Sequence, residues 1–233
     1  MEFLGDAIND GIRFLTESGG ELGEVVGLTL IVAMLATAIG VFIGVPLGVV
    51  LGLGRFRGKG LLLGAVNVGM GIPPVLAGLL VLMLLWSEGP FGSLDLLFTP
   101  AAMVIVQSLL AIPIAAGVTA GAVGGLPHDA REQLDALRLP RFRRGSIAIG
   151  EAWTGVAAAV AAAFGRVISE VGAVLLVGGN IKGETRVLTT AIVQETRQAR
   201  FGAALALGAV LLVLSLIVNG VLTWLQLRGA ADA

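Results

Sequence analysis

From Val25 to Gly54 the chain carries no charged residue. A hydrocarbon core of about 30 Å is crossed by about 20 apolar residues in a helix, so this run is long enough to span with tilt. Four more runs follow: Leu61–Ser87, Leu96–Pro127, Ala152–Ile181 and Phe201–Leu227. Backbone in lipid must satisfy its own hydrogen bonds, which leaves helices and closed barrels. None of the runs alternates with period two, as barrel strands do. The expectation is an all-α, polytopic membrane bundle of five transmembrane helices, forming one domain over residues 1–233. Composition agrees: 56% of residues are hydrophobic and only 13% charged, where a soluble domain carries about 25%.

Five spans put the termini on opposite sides, and Lys and Arg in short loops choose between the two orientations. Loop 55–60 holds Arg55, Arg57 and Lys59. Loop 128–150 holds Arg131, Arg138, Arg141, Arg143 and Arg144, and Arg228 falls on the same side. The opposite side gets Arg13 in an acidic, amphipathic leader (1–24) and Lys182, Arg186, Arg197 and Arg200 in loop 178–200. The bias predicts the N-terminus outside and the C-terminus in the cytoplasm, with the basic 182–200 segment in dissent. The leader lacks a basic n-region, so it does not read as a cleaved signal peptide.

Several classes of chemistry are excluded. There is no Cys and a single His, His128, so neither thiolate nor imidazole metal sites are expected. The net charge of −1 argues against nucleic acid. Gly52–Gly60, GLGRFRGKG, faintly resembles a phosphate loop. However, Lys59 is followed by Gly60 rather than Ser or Thr, and the segment follows a membrane helix instead of a strand. No catalytic residue and no cofactor are expected on the chain, and no ATP site.

What remains is polar or helix-breaking. Asn67, Pro73 and Pro74 interrupt the second span, Gln107, Ser108 and Pro113 the third, and Arg166, Ser169 and Glu170 the fourth. Charge at membrane depth costs about 2.5–3.5 kcal/mol per residue on insertion scales, so it is kept for a reason. Arg166 and Glu170 are spaced i,i+4 and would pair on one helix face; alternatively, Glu170 sits near a gate and changes partners. Gly178, Gly179 and Gly183 surround Asn180, with Thr185, Thr189, Thr190 and Arg186 beyond. Such a turn either offers backbone amides to an anion or caps the bundle as a flexible loop. Gly40, Gly44 and Gly48, with Ala157–Ala159 and Ala161–Ala163, have the spacing of close helix crossings. Within 128–150, DAREQLDALRLPRF reads as a short amphipathic helix with Leu134, Leu137 and Phe142 on its apolar side, ended or kinked by Pro140. It would either dock in a partner groove or lie in the interface.

These segments resemble a family. GRVISEVGAVLLVGGNIKG (165–183) is the specific part, and ATAIGVFIGVPLGVVLG (36–52), NVGMGIPPVLAGLLV (67–81) and GPFGSLDLLFTPAAMVIVQSLLAIPI (89–114) extend it. Together they are similar to the permeases of ABC importers, most of all those for tungstate and their relatives for molybdate. The resemblance covers about residues 25–225. It implies a permease homodimer of the type I importer fold in the plasma membrane of a prokaryote. Two copies of an ATP-binding subunit would hold ATP and Mg, and an extracytoplasmic binding protein would deliver the oxyanion. Pro73, Pro74, Gln107, Ser169, Glu170, Gly179, Asn180 and Thr189 would line the path or gate. Arg131, Glu132, Leu134, Leu137, Pro140, Phe142 and Arg143 would couple to the ATPase, although the family's EAA…G pattern is degenerate here, as EQLDALRLPRFRRG. Lys182, Arg186, Arg197 and Arg200 would attract the anion or dock an acidic binding protein. Two other classes stand beside this one. A proton-coupled carrier would use Glu170, but it usually shows inverted repeats, and five spans divide badly. A channel or structural subunit would not need the charged inner helix.

Overall fold

In the computed structural model, residues 2–17, 19–137 and 139–231 are described, and every regular element among them is helical. Arg138, counted above among the basic residues of 128–150, lies outside them. In chain order the α-helices are α1 (Glu2–Glu17), α2 (Gly19–Leu53), α3 (Lys59–Gly71), α4 (Pro74–Leu85), α5 (Pro100–Gly124), α6 (His128–Ala136), α7 (Arg141–Glu151), α8 (Trp153–Ile168), α9 (Gly172–Gly178), α10 (Leu188–Arg197) and α11 (Phe201–Ala231). A 3₁₀ turn at Gly92–Leu94 lies between α4 and α5.

Three helices are long and apolar enough to cross a membrane unaided: α2, α5 and Phe201–Arg228 of α11. The count rises to five when α3 with α4, and α7 with α8, are each taken as one bent span. The second expected span is therefore two helices. Proline drives the residue before it out of the helical region, and Ile72 and Pro73 are extended (ψ 128° and 124°). Two prolines in a row also remove two amides that a continuous helix would need. The fourth expected span also differs: α8 stops at Ile168, and the chain resumes as the short α9 at Gly172.

The chain forms two compact units. The first comprises residues 1–35, 73–107 and 168–218, and the second 36–72, 108–167 and 219–233. In the first unit, α1 lies against the start of α11. A Cβ on Gly11 would meet the carbonyl oxygen of Gly202 at 2.8 Å, and the rings of Phe3 and Phe201 sit edge to face at 5.8 Å. Val25, Leu188, Ala191 and Leu207 form a core with Phe14, Leu22 and Ile192 packed around it.

The second unit is built on backbone proximity. Gly40, Gly44, Gly48 and Gly52 repeat every fourth residue along α2, so they share one face. Cβ atoms there would lie 2.4 Å from Ala111 Cβ, 2.7 Å from Ala115 Cβ, 2.6 Å from Thr119 Cβ and 2.8 Å from Val123 Cβ, all on α5. Without water to drive helix association in lipid, this close contact and its dispersion energy hold the pair. Below it, Val45, Val49 and Val123 join Leu134, Ala148, Ala152 and Val156 in one buried cluster.

Candidate transport path and coupling surface

All eight residues expected on the path or gate belong to the first unit. Pro73 and Pro74 open α4. From there the helix runs against α9 so closely that a Cβ on Gly78 would stand 2.7 Å from Ala173 Cα. Ser169 and Glu170 occupy the break between α8 and α9. Glu170 lies beyond the end of α8, so it and Arg166 are not on one continuous helix. Its carboxylate accepts the Ala173 amide at 3.1 Å, as a cap at the N-terminus of α9 does. Its own carbonyl accepts the Thr189 hydroxyl at 3.0 Å. Both Glu170 and Thr189 are buried, as is Gln107 on α5. Thr189 thus ties the first turn of α10 to the break ahead of α9, a connection between two polar positions that sequence spacing does not reveal.

Gly179 and Asn180 form the turn after α9. Both are left-handed (φ 73° and 56°), and Gly179 ends α9 by donating its amide to Leu175 at 3.0 Å. A Cβ there would meet the Phe98 ring at 2.9 Å, and the Phe98 amide bonds to the Val177 carbonyl at 2.8 Å. The Asn180 side-chain amide donates to Gln194. The rest of the glycine-rich turn closes on itself. The amides of Glu184, Thr185 and Arg186 all point to the Ile181 carbonyl at 3.2, 2.9 and 3.0 Å. The Ile181 amide bonds to the Thr185 hydroxyl at 2.9 Å, and that hydroxyl bonds to the Gly178 carbonyl. The amides of Gly179, Ile181, Glu184, Thr185 and Arg186 thus order the turn.

Three of the four dissenting cations of this loop have acidic partners. Lys182 Nζ lies 2.7 Å and Arg186 Nη1 3.6 Å from the Glu21 carboxylate, on the first turn of α2. Arg200 pairs at 2.7 Å with Glu195, whose side chain is largely buried on α10. At the start of α10, the Leu188 amide donates to the buried Thr29 hydroxyl at 2.9 Å, and Thr190 receives the Val187 amide at 3.1 Å.

The seven coupling candidates lie in the second unit and do not share one helix. The helix expected to end or kink at Pro140 stops at Ala136, and Pro140 then caps the start of α7. Arg131 donates to the Val123 carbonyl at 3.1 Å and to that of Gly124, capping the C-terminus of α5. Leu134 is 3% exposed, in the cluster under α2 and α5. Glu132, Leu137, Pro140, Phe142 and Arg143 are exposed, Phe142 by 87%. The outward surface is therefore narrower than the sequence pattern implies. Among the described residues, no cluster of His, Asp and Glu is arranged to hold a metal.

Helices broken at prolines and at polar residues are the features by which this fold can be compared with known ones. The fold is that of a subunit in inward-facing conformations of the MetNI methionine ABC transporter, with a TM-score of 0.65 over 91% of this chain and 96% of that one, at 18% identity. The pattern of the binding-protein-dependent transport system inner membrane component matches residues 44–228, and the chain belongs to that family. It is 40% identical to a probable anion ABC transporter permease of Haloferax volcanii, over 85% of this chain and 88% of that protein. It is 34% identical to the tungstate uptake system permease TupB of Peptoclostridium acidaminophilum, over 97% and 99% respectively. The chain is thus a multi-pass membrane permease of an ABC importer, a class that works with an ATP-binding subunit and a substrate-binding protein.

Proposed function

We propose that this permease imports tungstate, with molybdate as the closest alternative cargo. The similarity to a tungstate permease along almost the whole of both chains carries the reading. Two copies would form the path, each docking on one ATP-binding subunit through Glu132, Leu137, Phe142 and Arg143, with the N-terminus outside and the C-terminus in the cytoplasm of a prokaryote. The whole of residues 1–233 would act as a single transmembrane domain. Hydrolysis, with its ATP and Mg, would belong to the partner; this chain would be neither catalytic nor cofactor-bearing. Pro73, Pro74, Gln107, Ser169, Glu170, Gly179, Asn180 and Thr189 would form the path and gate. The fixed bonds around Glu170 favour a positional role over proton exchange.

The test is uptake of radiolabelled tungstate into vesicles holding permease, ATPase and binding protein, with molybdate and sulfate as competitors. ATP-dependent uptake that excess tungstate abolishes supports the reading. Uptake that survives without ATP and collapses with the proton gradient would refute it in favour of the carrier.

A further inference from the structure

Where α2 ends and α7 begins, a cavity of about 610 Å³ is lined by Val49, Val50, Leu53, Phe56 and the arginines 55, 141 and 144. Among the described residues that line it, none is acidic. One wall is the end of a helix long and apolar enough to span a membrane, and Val50 and Phe56 are 53% and 42% exposed, so the apolar floor continues onto exposed surface. The other wall is the first turn of α7, close enough that a Cβ on Gly145 would touch Val49 Cγ1 at 3.4 Å. The α2 carbonyls facing an approaching anion would repel it, but Lys59 Nζ covers the Gly54 carbonyl at 3.1 Å. Three guanidiniums above an apolar floor, at the foot of a span, suit a molecule that is anionic at one end and hydrocarbon at the other. Guanidinium forks match phosphate oxygens in pairs. Basic pockets of this kind on the cytoplasmic side hold anionic lipid headgroups.

We propose that this cavity binds an anionic glycerophospholipid, with its phosphate on Arg55, Arg141 and Arg144 and an acyl chain along Val49, Val50, Leu53 and Phe56. The site rests on the orientation proposed above, with this end of α2 in the cytoplasm, and is independent of which oxyanion is carried. The amphiphilic lining favours a lipid over a free anion, which would leave the apolar floor exposed.

The test uses the complete permease–ATPase complex, purified in mild detergent and loaded with equal phosphatidylglycerol and phosphatidylcholine. Retained lipid per complex is read by mass spectrometry. Wild type is expected to retain phosphatidylglycerol over phosphatidylcholine. Arg141→Gln with Arg144→Gln should lower that retention on the order of tenfold, as the loss of two charge-assisted contacts implies. Arg55→Gln, in a loop, should lower it by less, and Arg141→Lys with Arg144→Lys should keep most of it. Equal retention of both lipids would overturn the site. So would retention unchanged in the Gln variants, or displacement of the lipid by millimolar inorganic phosphate alone. If the Gln variants lose the ATPase and keep the lipid, the cavity is a protein interface and the proposal falls.

Discussion

Replacing Gly40 by Ala is the sharpest test of how the second unit is held together. The added Cβ would stand 2.4 Å from Ala111 Cβ, and real Cβ contacts essentially never fall below 3.0 Å. The helices must therefore part by about 0.6 Å at this point, and no flexible side chain is present to absorb the shift. Because Gly44, Gly48 and Gly52 also approach α5 below 3.0 Å, parting at one point loosens the whole face. Overpacking of this kind costs about 1–3 kcal/mol, offset by up to about 1 kcal/mol of helix propensity. At 2.4 Å the clash belongs in the upper part of that range, and the net loss of about 1–2 kcal/mol corresponds to roughly 2–8 °C in a chain of this length. The assay is thermal unfolding of the detergent-purified protein. Gly64→Ala, which meets nothing within 4 Å, is the matched control and should melt at or above wild type. Adding Ala111→Gly to Gly40→Ala should restore most of the loss, since the next contacts are then 3.2 and 3.4 Å. If Gly40→Ala melts with wild type, or if the paired change recovers nothing, backbone proximity is not what secures these helices.

Thr189→Val removes a buried hydroxyl bond to the Glu170 carbonyl and should cost about 1–2 kcal/mol, with lower uptake per permease than Thr196→Val, whose hydroxyl bonds only within its own exposed turn. Gly179→Ala forces a side chain into a left-handed residue facing the Phe98 ring; a loss of about 1–3 kcal/mol in thermal unfolding is expected. Phe142→Asp should leave the permease folded, because the ring is 87% exposed, yet weaken co-purification of the ATPase by about tenfold or more if the ring is an interface anchor. Leu134→Asp buries a charge in the cluster under α2 and α5 and should abolish accumulation of folded protein in the membrane, a contrast that separates inward from outward residues of the same loop.

Apolar runs of sufficient length made the spanning segments legible, since length and hydropathy are one-dimensional properties. Pro73 and Pro74 were visible as helix breakers, but the break was not fixed by them alone, since Pro46 and Pro113 sit inside the continuous α2 and α5. The glycine face of α2 was visible as a spacing, although its partners, Ala111 to Val123, depend on which helix lies opposite. The end of α8 at Ile168 was hidden: Ser169, Glu170 and Val171 carry no strong breaker, and the carboxylate's bond to Ala173 stabilises a helix start that periodicity does not mark. Leu134 shows the same limit. An amphipathic stripe states which residues avoid water, and tertiary context decides whether they do so against this chain or against a partner. The glycine-rich turn read as flexible or anion-ready from composition, whereas Thr185 and the Ile181 carbonyl settle it as a closed, ordered element.

The pairing of Lys182 and Arg186 with Glu21 bears on how cargo would reach the permease. The small cavity there, about 110 Å³, is bordered by Glu21, Glu24, Lys182, Glu184 and Arg186, three carboxylates against two cations. A surface with that balance casts no attractive field toward a dianion. Long-range steering raises encounter rates only where one sign of charge dominates, and it fades as salt is added. Capture by this cluster would therefore be slow at any ionic strength, and varying the salt should barely alter it. In the importer proposed above, the kinetic burden of finding a dilute oxyanion would fall on a binding protein that meets the membrane already loaded.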